Sequence, residues 1–292
     1  MSKVILVDTS MLFVPNVKLV NKLRMQKAKT GIPSFVNTPR AMYFNSIISS
    51  LKKVGIDKDD LVFMCLEGKS FRKQIASYYK ANRKDLRDKD SFVDWDYEFK
   101  QCNKLHDELK EATNWKWLQV FDGLEADDCI AIACRYFKNK DVIIITGDAD
   151  LKMLCYYDWV KYFNLNKKVN GSKGCFEKIE NPLKILKDKA TKGDKSDNII
   201  PEPDETEEDI ALRYKLVNLL ELPEYIEQKG ILAIEQQLKI NKEENLDKLP
   251  NFKNCKEKFL QIYDEKYKIT SEYCFQLLEK RVERKKKEKA KK

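Results

Sequence analysis

The stretch Val142-Ile-Ile-Ile-Thr-Gly-Asp148-Ala-Asp150 decides the fold class. Val142 to Ile145 is apolar at every position, as in a strand covered on both faces inside a parallel sheet. The run then ends on Thr-Gly and two aspartates. Carboxylates set against a buried strand are costly unless a cation sits among them. Asp148 and Asp150 lie two apart, so in extended chain they point the same way.

The same construction recurs along the chain. Lys3-Val-Ile-Leu-Val-Asp8 ends in an acid, and Leu61-Val-Phe-Met-Cys-Leu66 is followed by Glu67. Trp117-Leu-Gln-Val-Phe121 leads into Gly123-Leu-Glu-Ala-Asp-Asp128, and 159–163 reads as a further strand. Between these runs the spacing predicts helices over 40–54, 92–112, from the Glu125 cluster to Phe137, and from Pro182 to about Lys192. Residues 14–38, with Pro15, Gly31 and Pro33, read as irregular. Strands alternating with helices imply an α/β fold, a mostly parallel twisted sheet flanked by helices. Such sheets bind ligands beyond the carboxyl ends of their strands, where these acids lie.

After Asn198 the composition shifts to the acidic segment Pro201-Glu-Pro-Asp-Glu-Thr-Glu-Glu-Asp209 and then to helical patterning. We therefore divide the chain into an α/β domain, 1–198, and a helical C-terminal region, 199–292, whose last twelve residues carry eight basic ones.

Hydrophobic residues make up 42% of the 292, enough for a core, while 35% charged residues and a net charge of +9 suit an anionic partner. The eight cysteines form no C-x-x-C pair and read as reduced, buried thiols. The single histidine, His106, reads as structural, which excludes a His-rich zinc site. No apolar run reaches the roughly 20 residues of a membrane span, and the N-terminus lacks a signal peptide's pattern. A cytoplasmic protein is expected.

A third acid group, Asp194-Lys-Ser-Asp197, completes the candidate ligands: Asp8, Glu67, Glu125, Asp127, Asp128, Asp148, Asp150, Asp194 and Asp197. Hard oxygen donors without His or Cys suit Mg²⁺ or Mn²⁺. Glu125 and Asp128 share a face at helical spacing, as do Asp194 and Asp197. There are more acids than one ion needs. Two ions about 3.5–4 Å apart serve in-line displacement at a phosphodiester without a histidine base. The most basic stretch of the main body is Phe71 to Lys89, FRKQIASYYKANRKDLRDK, with aromatics interleaved.

Six motifs now stand in order: Leu-Val-Asp8, Glu67-Gly-Lys-Ser-Phe-Arg72, Tyr79-Lys80-Ala-Asn-Arg83, Glu125-Ala-Asp-Asp128, Thr146-Gly-Asp-Ala-Asp150 and Gly193-Asp-Lys-Ser-Asp-Asn198. In this order the chain resembles the 5′-nucleases of the flap endonuclease superfamily, and within it the T-even phage branch. The resemblance implies a PIN-like domain holding two Mg²⁺ ions, with Mn²⁺ able to substitute. Asp8, Glu67, Glu125 and Asp127 would serve the first ion, and Asp128, Asp148, Asp150, Asp194 and Asp197 the second or both. Lys80 and Arg83 match the pair that contacts the scissile phosphate, and with Asp127 and Asp148 they are the implied catalytic residues. Arg72, Lys84, Lys189, Lys192 and Lys195 join them as implied nucleic-acid contacts, and residues 71–95 would form a helical arch whose aromatics either stack on bases or pack on the protein.

The implied activity is 5′→3′ exonuclease and flap endonuclease cleavage, with RNase H-type primer removal in lagging-strand replication. Implied partners are DNA with 5′ flaps, nicks or RNA primers, a single-stranded DNA-binding protein and a sliding clamp. The protein would be a monomer in the host cytoplasm if phage-encoded. Two departures stand out. Glu67 occupies a position where the family usually has Asp, and the Gly-rich helix–hairpin–helix that most members carry after Asn198 is missing, leaving duplex binding to residues such as Lys192, Lys195, Arg213 and Lys215. The rival readings are a catalytically impaired, structure-specific DNA-binding protein and a PIN-type ribonuclease acting on single-stranded RNA.

Overall fold

The computed structural model describes residues 2–30, 38–83, 85, 92–169 and 172–264. Its strands are β1 (Lys3–Asp8), β2 (Leu61–Cys65), β3 (Lys69–Ser70), β4 (Lys116–Leu118), β5 (Asp122–Gly123), β6 (Asp141–Thr146), β7 (Val160–Val169) and β8 (Ser172–Glu177). Six of them form one sheet in the order β4-β2-β1-β6-β7-β8. All its pairings are parallel except β7 with β8, which is antiparallel. In register, Asp8 pairs with Cys65 and Val7 with Ile145. Asp8, Glu67 and the Gly147–Asp148 turn therefore emerge together at the carboxyl edge of the three central strands.

Side chains of β1 alternate between two cores, which is why the strand reads as apolar throughout. Val4 and Leu6 join Val142, Ile144 and the helix Ala126–Tyr136 on one face. Ile5 and Val7 join Ile143 and Ile145 on the other, under the helices Thr9–Thr30, Pro39–Lys53 and Trp95–Ala112. The expected helices over 40–54 and 92–112 are thus present. His106 is buried in the second core with its Nε2 3.0 Å from the Tyr43 hydroxyl, a packing role. The described residues include seven cysteines, none in a disulfide and six of them buried; Cys274 lies outside them.

Three expectations change. Residues 14–30 are not irregular: Thr9–Thr30 is one helix with Pro15 inside it. Proline removes one amide donor and disfavours a helix interior. Here Leu12, Phe13, Val17 and Val20 bury along one side, and that packing prevails. The strand expected at 117–121 stops at Leu118, and the chain instead pairs Asp122–Gly123 with Lys69–Ser70. Gly68 makes this approach possible, since a Cβ there would sit 2.3 Å from the carbonyl oxygens of both Val120 and Leu124. The antiparallel strand β8 was not foreseen.

Beyond Asn198 follow the helices Glu207–Val217, capped by Thr206, Glu224–Lys239 and Cys255–Leu260. Leu216, Leu222, Ile226 and Ile234 extend the first core, and Cys255, Phe259 and Ile262 the second. Both cores thus run across the compositional boundary. The basic tail lies outside the described residues. Among these, no helix is long and apolar enough to cross a membrane.

Candidate metal centre

Asp8 ends β1 and is buried. The Thr146 hydroxyl donates to its Oδ2 at 2.7 Å, the Ser10 hydroxyl to Oδ1 at 2.9 Å, and the Met11 amide to Oδ1 at 3.2 Å. Thr146 also accepts from the Asp148 amide at 3.0 Å, so one hydroxyl at the end of β6 spaces two acids. Burial raises the Asp8 carboxyl despite these bonds, and the Asp148 charge adds to it. Asp127, in the first turn of Ala126–Tyr136, is raised well above the usual range by burial and by Asp148 and Asp8. Glu67 keeps a solvent-exposed surface, yet dense surroundings and the Glu125 carboxylate push it up to about 7. Asp8, Glu67, Asp127 and Asp148 therefore form a group of mutually repelling acids.

A second group lies beside it. One oxygen each from Asp150, Asp194 and Asp197 lies within 4.8 Å of the others. Asp150 opens a 3₁₀ turn, Asp150–Tyr156, and its amide donates to Asp148 Oδ1 at 2.9 Å. Asp194 and Asp197 bracket the short turn after Gly193, whose φ of 72° is open to glycine. The Lys189 ammonium contacts both Asp150 and Asp194. Burial and Asp148 push Asp150 up to about 6 even so. Asp194 goes the other way: burial opposes ionisation, but Lys189 and Ser196 hold its carboxyl below the usual range.

Glu125, at the start of Ala126–Tyr136, stands between the groups. Its carboxylate accepts from Lys80 Nζ at 2.6 Å, Ser70 Oγ at 2.8 Å and the Tyr79 hydroxyl at 3.0 Å. Burial works against its charge, but Lys80 and Arg72 hold the carboxyl below normal. Asp197 accepts from Arg83 Nη2 at 2.9 Å and from Tyr79 at 3.2 Å. Backbone bonds hold this juxtaposition: the Lys80 amide donates to Asp197 O at 2.8 Å, and Asn198 Nδ2 to Tyr78 O at 3.0 Å.

Eight of the nine expected acids gather here, and one does not. Asp128 is wholly buried, with Arg72 Nη2 2.8 Å from its Oδ1 and Nη1 donating to Oδ2 at 2.9 Å. Its Oδ2 also accepts the Glu125 amide at 3.0 Å. Arg72, 2% exposed, donates through Nε to Leu216 O at 2.7 Å. The two residues, expected as a metal ligand and a nucleic-acid contact, are thus buried as a pair. The carboxylate three residues into a helix is also a capping-box position, a signal legible in the sequence. Arg213 is buried too, paired with Glu205 and the Ala190 carbonyl, and so leaves the set of surface contacts. Lys192 is exposed and pairs with Asp188 at 2.9 Å, and Lys195 is exposed on its turn. Lys84 and much of the expected arch lie outside the described residues. Phe71 and Tyr79 pack inward, while Tyr78 is exposed. Ser70 and Thr146 bond to site acids and were missed, because no sequence pattern marks a serine or threonine that bonds across the fold.

Residues 3–180 match the family model of the 5′-3′ exonuclease N-terminal, resolvase-like domain. The chain belongs to this 5′-3′ exonuclease family. This match fits the 5′-nuclease superfamily that the resemblance implied. The family member here is 31% identical over 166 residues to Ribonuclease H of Enterobacteria phage T4, a match covering 55% of this chain and 52% of the relative. The chain thus spans about half the length of that curated relative. A T5 protein crystallised with metal ions shares 18% identity at a TM-score of 0.52, covering 90% of this chain and 100% of its own. T5 5′-exonuclease with divalent zinc ions bound gives 18% and 0.51 over the same shares. These two likenesses are of fold: a PIN-like, mostly parallel sheet between helices. The donor set of this chain, carboxylate oxygens alone, fits a hard divalent cation.

Proposed function

We propose that this protein is a Mg²⁺-dependent 5′→3′ nuclease that cuts DNA and RNA–DNA duplexes at 5′ ends and flaps and so removes primers in lagging-strand replication. The observation that carries the reading is the convergence of Asp150, Asp194 and Asp197 within 4.8 Å beside the Asp8, Asp127 and Asp148 group. Asp8, Glu67, Asp127 and Asp148 would hold one ion, and Asp150, Asp194 and Asp197 a second, with Glu125 between. Mn²⁺ would substitute, since it accepts the same oxygen donors. When bound, the ions supply a more acidic water as nucleophile and offset charge on the leaving oxygen.

The chain's own groups do the rest. Thr146 and Ser10 fix the Asp8 carboxylate so that its position does not depend on the ion. Lys80 and Arg83, already aimed into the site, place positive charge on the phosphate oxygens as they become more negative. Lys189, Lys192 and Lys195 approach along the Pro182–Lys192 helix and the turn after it and would follow the backbone of the substrate. Residues 1–198 would form the catalytic unit, with duplex contacts added by 199–292, including exposed Lys215 and the basic tail. The relative named Ribonuclease H supports an RNA-primed substrate, and the metal-bound T5 structures support divalent ions. We place the protein as a monomer in the cytoplasm, acting beside a single-stranded DNA-binding protein and a sliding clamp.

The test is one cleavage assay with labelled 5′-flap, nicked, RNA-primed and single-stranded substrates, in Mg²⁺ and in EDTA. Cleavage of flap and primed duplex in Mg²⁺ alone is expected. No product from any substrate, or equal product in EDTA, would defeat the reading. Preference for free single-stranded RNA would favour a ribonuclease instead.

A further inference from the structure

We propose that Lys189 is a built-in counter-cation of the second acid group, which a divalent ion must displace in order to bind there. The inference rests on the nuclease reading above. The Lys189 ammonium bonds to Asp150 Oδ2 and Asp194 Oδ2, two members of the triad whose oxygens converge within 4.8 Å. It is no surface pair: the three side chains are 18%, 22% and 9% exposed. The remaining bonds leave few alternatives. Asp194 Oδ1 is taken by the Ser196 amide at 2.8 Å and its hydroxyl at 2.6 Å. Asp197 is engaged by Arg83 and Tyr79. Lys189 also sits in the last turn of Pro182–Lys192, where carbonyl ends favour a cation whether or not the acids are present.

An ammonium and a divalent ion repel each other strongly at the separations one set of oxygens allows. Before the ion enters, then, the second group is a closed ion-pair network that stabilises the fold. When the ion enters, Lys189 is released at the rim, where a substrate phosphate can accept it. Ion and substrate therefore reinforce each other's binding at this position, and the second ion binds more weakly than the first.

The experiment is a Mn²⁺ titration of the full chain, followed by electron paramagnetic resonance at fixed pH, with thermal melting in EDTA. Wild type is compared with Lys189→Met and with Lys184→Met, an exposed lysine of the same helix that pairs with Asp188. Lys189→Met is expected to tighten the weaker Mn²⁺ site by about tenfold or more and to lower the melting temperature in EDTA by several degrees. Lys184→Met should change neither. Unchanged or weaker Mn²⁺ binding in Lys189→Met, or unchanged melting in EDTA, would overturn the proposal. Should Lys189→Met fail to fold, Lys189→Gln is read by the same criteria, and Lys189→Arg should retain the weak wild-type site. A wild type that takes up no Mn²⁺ overturns the nuclease reading and the displacement together, whereas a wild type that binds Mn²⁺ beside a Lys189→Met that binds it no more tightly overturns the displacement alone.

Discussion

Lys80 reaches Glu125 at 2.6 Å from a backbone held at φ 54°, in the left-handed region. A non-glycine residue stays there only where surrounding bonds over-determine it. The Lys80 amide bond to Asp197 O supplies one, and the pair with Glu125 another. The backbone thus aims the ammonium at the acids.

Lys80→Met should lower the single-turnover cleavage rate by about 10²–10³-fold, the size seen when one preorganised charge-stabilising donor is lost. Substrate affinity should fall far less. Rapid-quench cleavage beside anisotropy binding separates the two; equal losses in rate and affinity would reduce Lys80 to a binding residue.

Asp148 raises the carboxyls of Asp8, Asp127 and Asp150. Asp148→Asn removes that repulsion. Cleavage should be lost, while metal-free stability rises by about 1 kcal/mol, in the range of functional-site substitutions that trade activity for stability. Urea unfolding in EDTA is the measurement; a less stable variant would show that Asp148 is held by compensating bonds.

Arg72→Met should destabilise the fold by about 3–5 kcal/mol, because it strands the buried Asp128 carboxylate without its partner. Arg72→Met combined with Asp128→Leu should recover much of the loss. A single variant as stable as wild type would contradict the buried pairing.

His106 gives a pH dependence that can be isolated. Burial, with Lys110 nearby, pushes its imidazole down to about 4 from the usual 6.5. Between those values the unfolded chain binds the proton and the folded chain does not. Stability from this group is therefore complete above about pH 6.5 and is lost as pH falls toward 4, at most about 3 kcal/mol. Glu67 and Asp150, raised to about 7 and about 6, act in the opposite sense, losing stability as pH rises through that window. The comparison is thus wild type against His106→Asn by urea unfolding at pH 7, 5.5 and 4.5. The gap should close as pH falls; a constant gap would rule out the titration.

Much of the architecture was readable because burial leaves local marks. Val142 to Ile145, Leu61 to Leu66 and Val4 to Val7 are apolar on alternate faces because both faces meet helices, and acids after them mark the sheet edge. Pro15 misled for a local reason: its effect on the helix is a property of the chain, whereas the burial of Phe13 and Val17 belongs to the core they meet. The acids themselves look alike in sequence. Asp127 and Asp128 are neighbours, yet one faces Asp8 and Asp148 while the other is locked to Arg72.

By itself, then, the sequence determined the class of sheet, the edge where the acids gather, and the pool of carboxylates, since hydrophobic period and residue type act over a few neighbouring positions. Which donors share a site, and which basic residue neutralises which acid, was decided only by tertiary structure. Those pairings join residues as far apart as Arg72 and Asp128 or Lys80 and Asp197, and the strength of each depends on a distance and a burial that no local pattern encodes.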